Sequence, residues 1–192
     1  MSSALFRRRT TEWLNSEPLG PAELRGRPVL VNFWTFTCIN WLRQEPYVRA
    51  WSQAYRDYGL VVIGVHTPEF SFEHDLDLVR QATKERAIDS PVAVDNGYKI
   101  WSAFTNHYWP ALYFIDAKGR IRYHYFGEGE YAEAERVLQE LLKEGGVRLA
   151  DESTVRVAGE GVEVAPSASV QSPETYVGYR RGERFASPVR LA

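Results

Sequence analysis

A chain of 192 residues, 44% hydrophobic and 25% charged, has the length and mixture of one globular domain with an extension, enough to bury a core without staples. A formal net charge of −2 argues against the basic footprint of a nucleic-acid partner. No apolar stretch approaches the ~20 residues of a bilayer span, and a single cysteine excludes a disulfide framework and a cysteine-rich zinc site.

Residues 1–20 are polar and irregular. Arg7-Arg8-Arg9 reads as a solvated end, and Trp13 and Leu14 are the residues able to pin the segment. No apolar run follows the basic residues as in a secretory leader, so the chain reads as cytoplasmic. Pro21 to Arg25 fits one helical turn stopped by Gly26. Val29 to Trp34 is apolar on both faces, the pattern of a strand covered on both sides. From Cys38 to about Tyr58 the apolar residues return at helical spacing (Leu42, Tyr47, Val48, Trp51, Ala54, Tyr55) until Gly59. Pro46 is predicted to kink this helix.

Leu60 to Val65 is a second buried strand, with His66 to Phe70 as a loop at its carboxyl end. Residues 73–87 have the spacing of an amphipathic helix through Leu76, Val79, Ala82 and Ala87. Pro91 to Asp95 reads as a short strand and Gly97 to Thr105 as a short helix carrying Ile100, Trp101 and Phe104. Ala111 to Ile115, a turn at Asp116 to Gly119, and Arg120 to Phe126 form a hairpin. Residues 131–144 are a closing amphipathic helix. This order predicts an α/β domain over residues 21–145, with helices on both faces of a mixed sheet and a right-handed crossover. Residues 1–20 are a leading segment. Residues 146–192 are an extension, part β hairpin (Val155 to Val157 with Val162 to Val164) and part linker or disordered.

Cys38 follows a buried strand and opens a helix, whose amino end favours a thiolate over a thiol. Thr37 just before it is placed to supply a capping oxygen. Position alone leaves a reactive thiolate and an inert buried thiol equally open. Trp109-Pro110 opens a strand, with the bond either trans, as is usual, or cis. No two of His66, His74, His107 and His124 have the spacing of a metal site, and no cofactor is called for.

The segment Phe33-Trp34-Thr35-Phe36-Thr37-Cys38-Ile39-Asn40-Trp41 resembles the active-site segment of thioredoxin-like proteins. It is most like the DipZ-type domain, a relative of the TlpA and ResA oxidoreductases and of the redoxin (AhpC/TSA) group. Val62 to Phe70, Tyr108 to Ala111 and Phe126 to Tyr131 resemble the same domain, and Pro46 matches the helix proline of the superfamily. The resemblance covers about residues 12–144 and implies a thioredoxin fold, an exposed attacking Cys38, and a cis Pro110 facing it. It departs from the family's C-x-x-C pattern at Trp41, which cannot act as a resolving thiol. A mixed disulfide on Cys38 would then wait for an external thiol reductant, and any redox cycle needs a second molecule.

With Cys38, Trp41 and Pro110 as the catalytic set, Trp34, Thr35, Thr37, Trp109, His66 and Glu69 are the candidate substrate-binding residues. The expected partner is a disulfide-bearing protein or a low-molecular-weight thiol. Two other readings remain: a one-cysteine peroxidase using Thr35-x-x-Cys38 with Arg43 as its cation, and a redox-inactive binding module. Glu128 and Glu130 read as solvated or capping the last helix. Ser172 to Tyr179 resembles the opening of the carbohydrate-binding-like module that follows DipZ-type domains, here expected in shortened form.

Overall fold

A computed structural model describes residues 10–164. In chain order these are β1 (Glu12–Leu14), α1 (Pro21–Leu24), β2 (Val29–Trp34), α2 (Ile39–Tyr55), β3 (Val61–His66), a 3-10 turn (Ser71–His74), α3 (Leu76–Glu85), β4 (Val92–Val94), α4 (Lys99–Ala103), β5 (Ala111–Ile115), β6 (Ile121–Phe126), α5 (Tyr131–Glu144) and a last 3-10 turn (Gly161–Glu163). The six strands form one sheet in the order β1-β4-β3-β2-β5-β6. β2, β3 and β4 run parallel, while β1, β5 and β6 pair antiparallel. This is the mixed sheet that the resemblance implies.

All six residues of β2 and of β3 are buried, so these strands carry the centre of the sheet. Their alternation sends odd and even positions to opposite faces. Val29, Val31, Phe33, Ile63 and Val65 face a core closed by Leu24, Ile100 and Phe104. Leu30, Val62, Leu112 and Phe114 face Trp51 and Tyr55 of α2 and Leu138, Leu141 and Leu142 of α5. Each fully buried leucine there is worth about 2 kcal/mol of transfer free energy. Pro46 is buried inside α2, and the helix continues through it from Ile39 to Tyr55. Leu42 and Tyr47 are half-buried and Ala54 is exposed, so the helix buries a narrower face than its apolar spacing suggested.

Three further segments differ from the sequence pattern. Glu12–Leu14 adds an edge strand against β4, with Trp13 packed on the core, in a segment whose polar composition gave no strand signal. The helix expected over 73–87 divides at Asp75, whose carboxylate accepts from the amides of Asp77 (2.8 Å) and Leu78 (3.5 Å) and so starts α3 afresh. Ala87 falls beyond that helix at φ 50°.

No strand forms between 147 and 164, so the Val155–Val164 hairpin is absent. Instead Leu149 and Val155 pack on the α2/α5 core, and the Val155 amide donates to the buried Glu135 carboxylate at 2.9 and 3.0 Å. Those bonds satisfy the backbone without a partner strand. Arg7 to Arg9 and Ser172 to Tyr179 lie outside the described residues.

Candidate active site

Cys38 is the N-cap of α2, with extended backbone (φ −71°, ψ 113°) and no side-chain capping bond. The residue is half-buried, and its thiol donates to the Trp109 carbonyl at 3.8 Å. The Trp109–Pro110 bond is cis. The chain therefore brings Cys38 and the Trp109-Pro110 pair together at the carboxyl edge of β2, where the amino end of α2 places its unpaired N–H groups.

Trp41, three residues on, points inward. It is 1% exposed and stacks on Trp34, also 1% exposed, with ring centroids 4.4 Å apart. Its indole N–H donates to Asn32 Oδ1 at 3.3 Å, the Asn32 amide donates to Gln44 at 2.7 Å, and Gln44 donates to the Gly127 carbonyl at 3.0 Å. Gly127 in turn donates its N–H to the Pro110 carbonyl at 2.8 Å. A chain of hydrogen bonds thus joins Trp41 to Pro110, which follows the Trp109 carbonyl that meets the thiol. Gly64 makes room for the stack, because a Cβ there would meet the Trp34 indole nitrogen at 2.9 Å.

Three of the candidate substrate-binding residues are interior. Trp34 belongs to the stack, Thr35 is fully buried, and His66 is the sealed last residue of β3, not part of a loop. The His66 ring lies between Phe36 (5.6 Å, stacked) and Trp34 (4.9 Å, edge-on), and neither ring nitrogen has a hydrogen-bond partner among the described residues. Burial lowers its pKa to about 4, so the ring is neutral at physiological pH. All three side chains are sealed from solvent in this structure and line the interior beneath Cys38's loop. Trp109 is half-buried; its indole N–H donates to the Thr67 carbonyl at 2.9 Å and its ring packs on Trp101 at 4.2 Å.

Thr37 does not cap α2. Its hydroxyl donates instead to Glu73 at 2.5 Å, from the 3-10 turn after β3. Glu73, which the sequence pattern placed inside a helix, is fully buried and also accepts from the amides of Glu69 (2.6 Å) and Phe70 (2.8 Å). The Thr35 hydroxyl lies close by without hydrogen-bond geometry to the carboxylate. Burial alone would raise the Glu73 pKa, but these hydroxyls and amides outweigh it and hold the carboxyl below its ordinary value. Glu73 closes back on the Phe70 amide as in a capping box, but phenylalanine at the cap leaves the sequence without the Ser/Thr-x-x-Glu signal. Glu69 thus enters the site through its backbone.

Behind the tryptophan stack, Glu45 is 4% exposed and lines a cavity of about 20 Å³ with Trp34 and Trp41. Burial raises its pKa to about 7 despite Arg49, which approaches to 3.2 Å without hydrogen-bond geometry. Arg43 is paired with Glu128 at 3.0 Å, so Glu128 is not merely solvated, and Glu130 starts α5 without a side-chain cap. Among the described residues no cluster of three or more His, Cys, Asp or Glu side chains forms a metal site, and no helix is long and apolar enough to cross a membrane.

The fold is that of a thioredoxin-like protein, with the cysteine at the head of its first long helix. The AhpC/TSA family pattern matches residues 12–124, and the chain belongs to that family. It is 42% identical over 173 residues to the protein DipZ of Mycobacterium tuberculosis (strain CDC 1551 / Oshkosh), a match that covers 88% of this chain and 24% of DipZ. The chain thus spans about a quarter of that relative's length. It is 29% identical over 132 residues to the thiol-disulfide oxidoreductase YkuV of Bacillus subtilis (strain 168), covering 69% of this chain and 88% of YkuV. The solution structure of a thioredoxin-like protein in its oxidised form superimposes with a TM-score of 0.66 at 28% identity, over 74% of this chain and 97% of the other.

Proposed function

We propose that the chain exchanges disulfides through Cys38 alone. The Cys38 thiolate attacks one sulfur of a disulfide R–S–S–R′, forms Cys38–S–S–R and expels R′–S⁻. An external thiolate R″–S⁻ then attacks the sulfur of R, forming R″–S–S–R and returning Cys38 as thiolate. Electrons balance with no net oxidation of the protein. The observation that carries this is the placement of Cys38. It is half-buried at the head of α2 against the Trp109 carbonyl, while the side chain at the usual second-thiol position is a sealed tryptophan. The names of relatives such as YkuV support the same chemistry. The substrate is a disulfide-bearing protein or a low-molecular-weight disulfide, and the external thiol would come from a reducing compartment such as the cytoplasm.

The peroxidase reading has less support. Thr35 is buried away from solvent and the Arg43 guanidinium is engaged by Glu128, so neither is presented to a peroxide at the sulfur.

The test is incubation with oxidised glutathione and with a disulfide-bridged peptide, followed by intact-mass measurement. With one cysteine in the chain, any adduct reports Cys38. One adduct, released by added thiol and absent in Cys38→Ser, is the expected result. A thiol that alkylates readily yet forms no mixed disulfide would remove exchange and leave the binding-module reading.

A further inference from the structure

The Glu73 carboxylate has no part in the exchange steps above, yet it accepts a hydrogen bond from Thr37, the residue before Cys38. We propose that Glu73 is a positioning residue for Cys38: it fixes the Thr37 backbone one residue before the sulfur, and its negative charge opposes the thiolate. This deepens the exchange reading and rests on Cys38 being the group that reacts.

Three donors converge on Glu73, namely the Thr37 hydroxyl and the amides of Glu69 and Phe70. They tie the loop before α2 to the loop after β3. Both loops carry aromatic side chains, Phe36 on one and the Phe70–Phe72 pair on the other, and Phe36 meets Phe72 at 6.0 Å. The carboxylate makes no ion pair with an arginine, lysine or histidine among the described residues. Its ionisable neighbours are His66 from β3, Glu69 and His74 from its own connection, and Tyr98 ahead of α4. His66 is neutral through burial, and burial also raises the Tyr98 hydroxyl. With hydrogen bonds holding Glu73 ionised, its charge is bonded to the residue that precedes Cys38 and has no ion-paired cation among the described residues.

The chemical consequence follows from thiol reactivity. A thiolate formed against an opposing charge is the more basic one, a stronger nucleophile and a slower leaving group. Lacking a second sulfur, the protein keeps its mixed disulfide until an external thiol arrives, and a poor leaving group at Cys38 prolongs that state.

The test is the pH profile of Cys38 alkylation by iodoacetamide, which reads the thiolate whether or not disulfides are ever exchanged. Glu73→Gln keeps an acceptor for the two amides and removes the charge, and its midpoint should fall by about half to one pH unit. Release of a glutathione adduct by added thiol should quicken several-fold in the same variant. An unchanged or raised midpoint overturns the proposal while leaving the exchange reading intact.

A second measurement needs no substitution at Glu73. Coupling between two charges is reciprocal. In the otherwise unaltered protein, carboxymethylation of Cys38 should raise the Glu73 titration midpoint, followed by carboxyl NMR, relative to neutral carbamidomethylation. Equal midpoints in the two forms would overturn the proposal even if Glu73→Gln did not fold.

Discussion

Two buried glutamates of the site, Glu73 and Glu45, meet opposite fates. Glu73 accepts three hydrogen bonds and is held below its ordinary pKa. Glu45, lining the small cavity, is approached by an imperfectly aligned Arg49, and burial raises it to about 7. Both are almost without solvent exposure. Burial therefore does not decide the charge; donors aimed at the oxygens do. The molecule thus holds one fixed buried anion, Glu73, and one proton-binding buried carboxyl, Glu45.

Removing the ring that lines the Glu45 cavity is the harshest way to break this comparison. Trp41→Cys deletes a buried ring and its bond to Asn32, and should cost about 3–4 kcal/mol in the reduced protein, read by denaturant unfolding. Water then reaches Glu45 and its pKa should relax towards the ordinary 4.5. On mild oxidation the new sulfur, one helical turn from Cys38, should close a disulfide, seen as a loss of two hydrogens by mass. Absence of that bond would show that Trp41 does not occupy the second-thiol position.

Glu45→Gln sharpens the comparison. A carboxyl whose folded pKa is above its unfolded value binds more protons folded than unfolded, so the wild type loses stability as pH rises from about 4.5 to about 7 and then levels off. The glutamine variant escapes that loss. It should match the wild type near pH 4 and exceed it by on the order of 2–3 kcal/mol at pH 8. Equal stabilities at pH 8 would mean that Glu45 is ionised at little cost.

Glu73→Gln should have the opposite sign and the smallest size. A depressed folded pKa contributes stability above the unfolded value, lost as pH falls through the folded one. The variant should therefore be less stable by about 1–2 kcal/mol above pH 5, with the gap closing in acid. A variant more stable than wild type at neutral pH would remove the contrast between the two residues.

The frame of the molecule was legible because its strands and helices repeat their apolar residues at distinct periods. Val29 to Trp34, Leu60 to Val65, Ala111 to Ile115 and residues 131–144 fall within a residue or two of the observed elements. β1 escaped notice because three residues beside polar neighbours show no period. The valines at 155–164 looked like strands, but their partners are the α2/α5 core and a side-chain carboxylate. At the site, position alone left Cys38 open and favoured a trans Pro110, and the family resemblance is what singled them out. Whether Trp34, Thr35 and His66 face a substrate depends on which way a strand end turns into the tertiary structure, and local pattern carries no information on that. Glu73 and Asn32 were missed for a related reason: each acts through a partner distant in sequence or on another element, Thr37 for one and Trp41 for the other.

The hydrogen-bonded path from Trp41 through Asn32 and Gln44 to Gly127 bears on how such a chain can change over evolutionary time. A single base substitution converts a tryptophan codon to a cysteine codon, so a paired-thiol protein lies one genetic step away. That step withdraws the indole on which Trp34 stacks and strands the Asn32 oxygen, and the intermediate gives up a large share of the 5–15 kcal/mol that keeps an ordinary domain folded. The change is short in sequence and steep in stability unless position 32 or 34 changes first, which would entrench the lone sulfur.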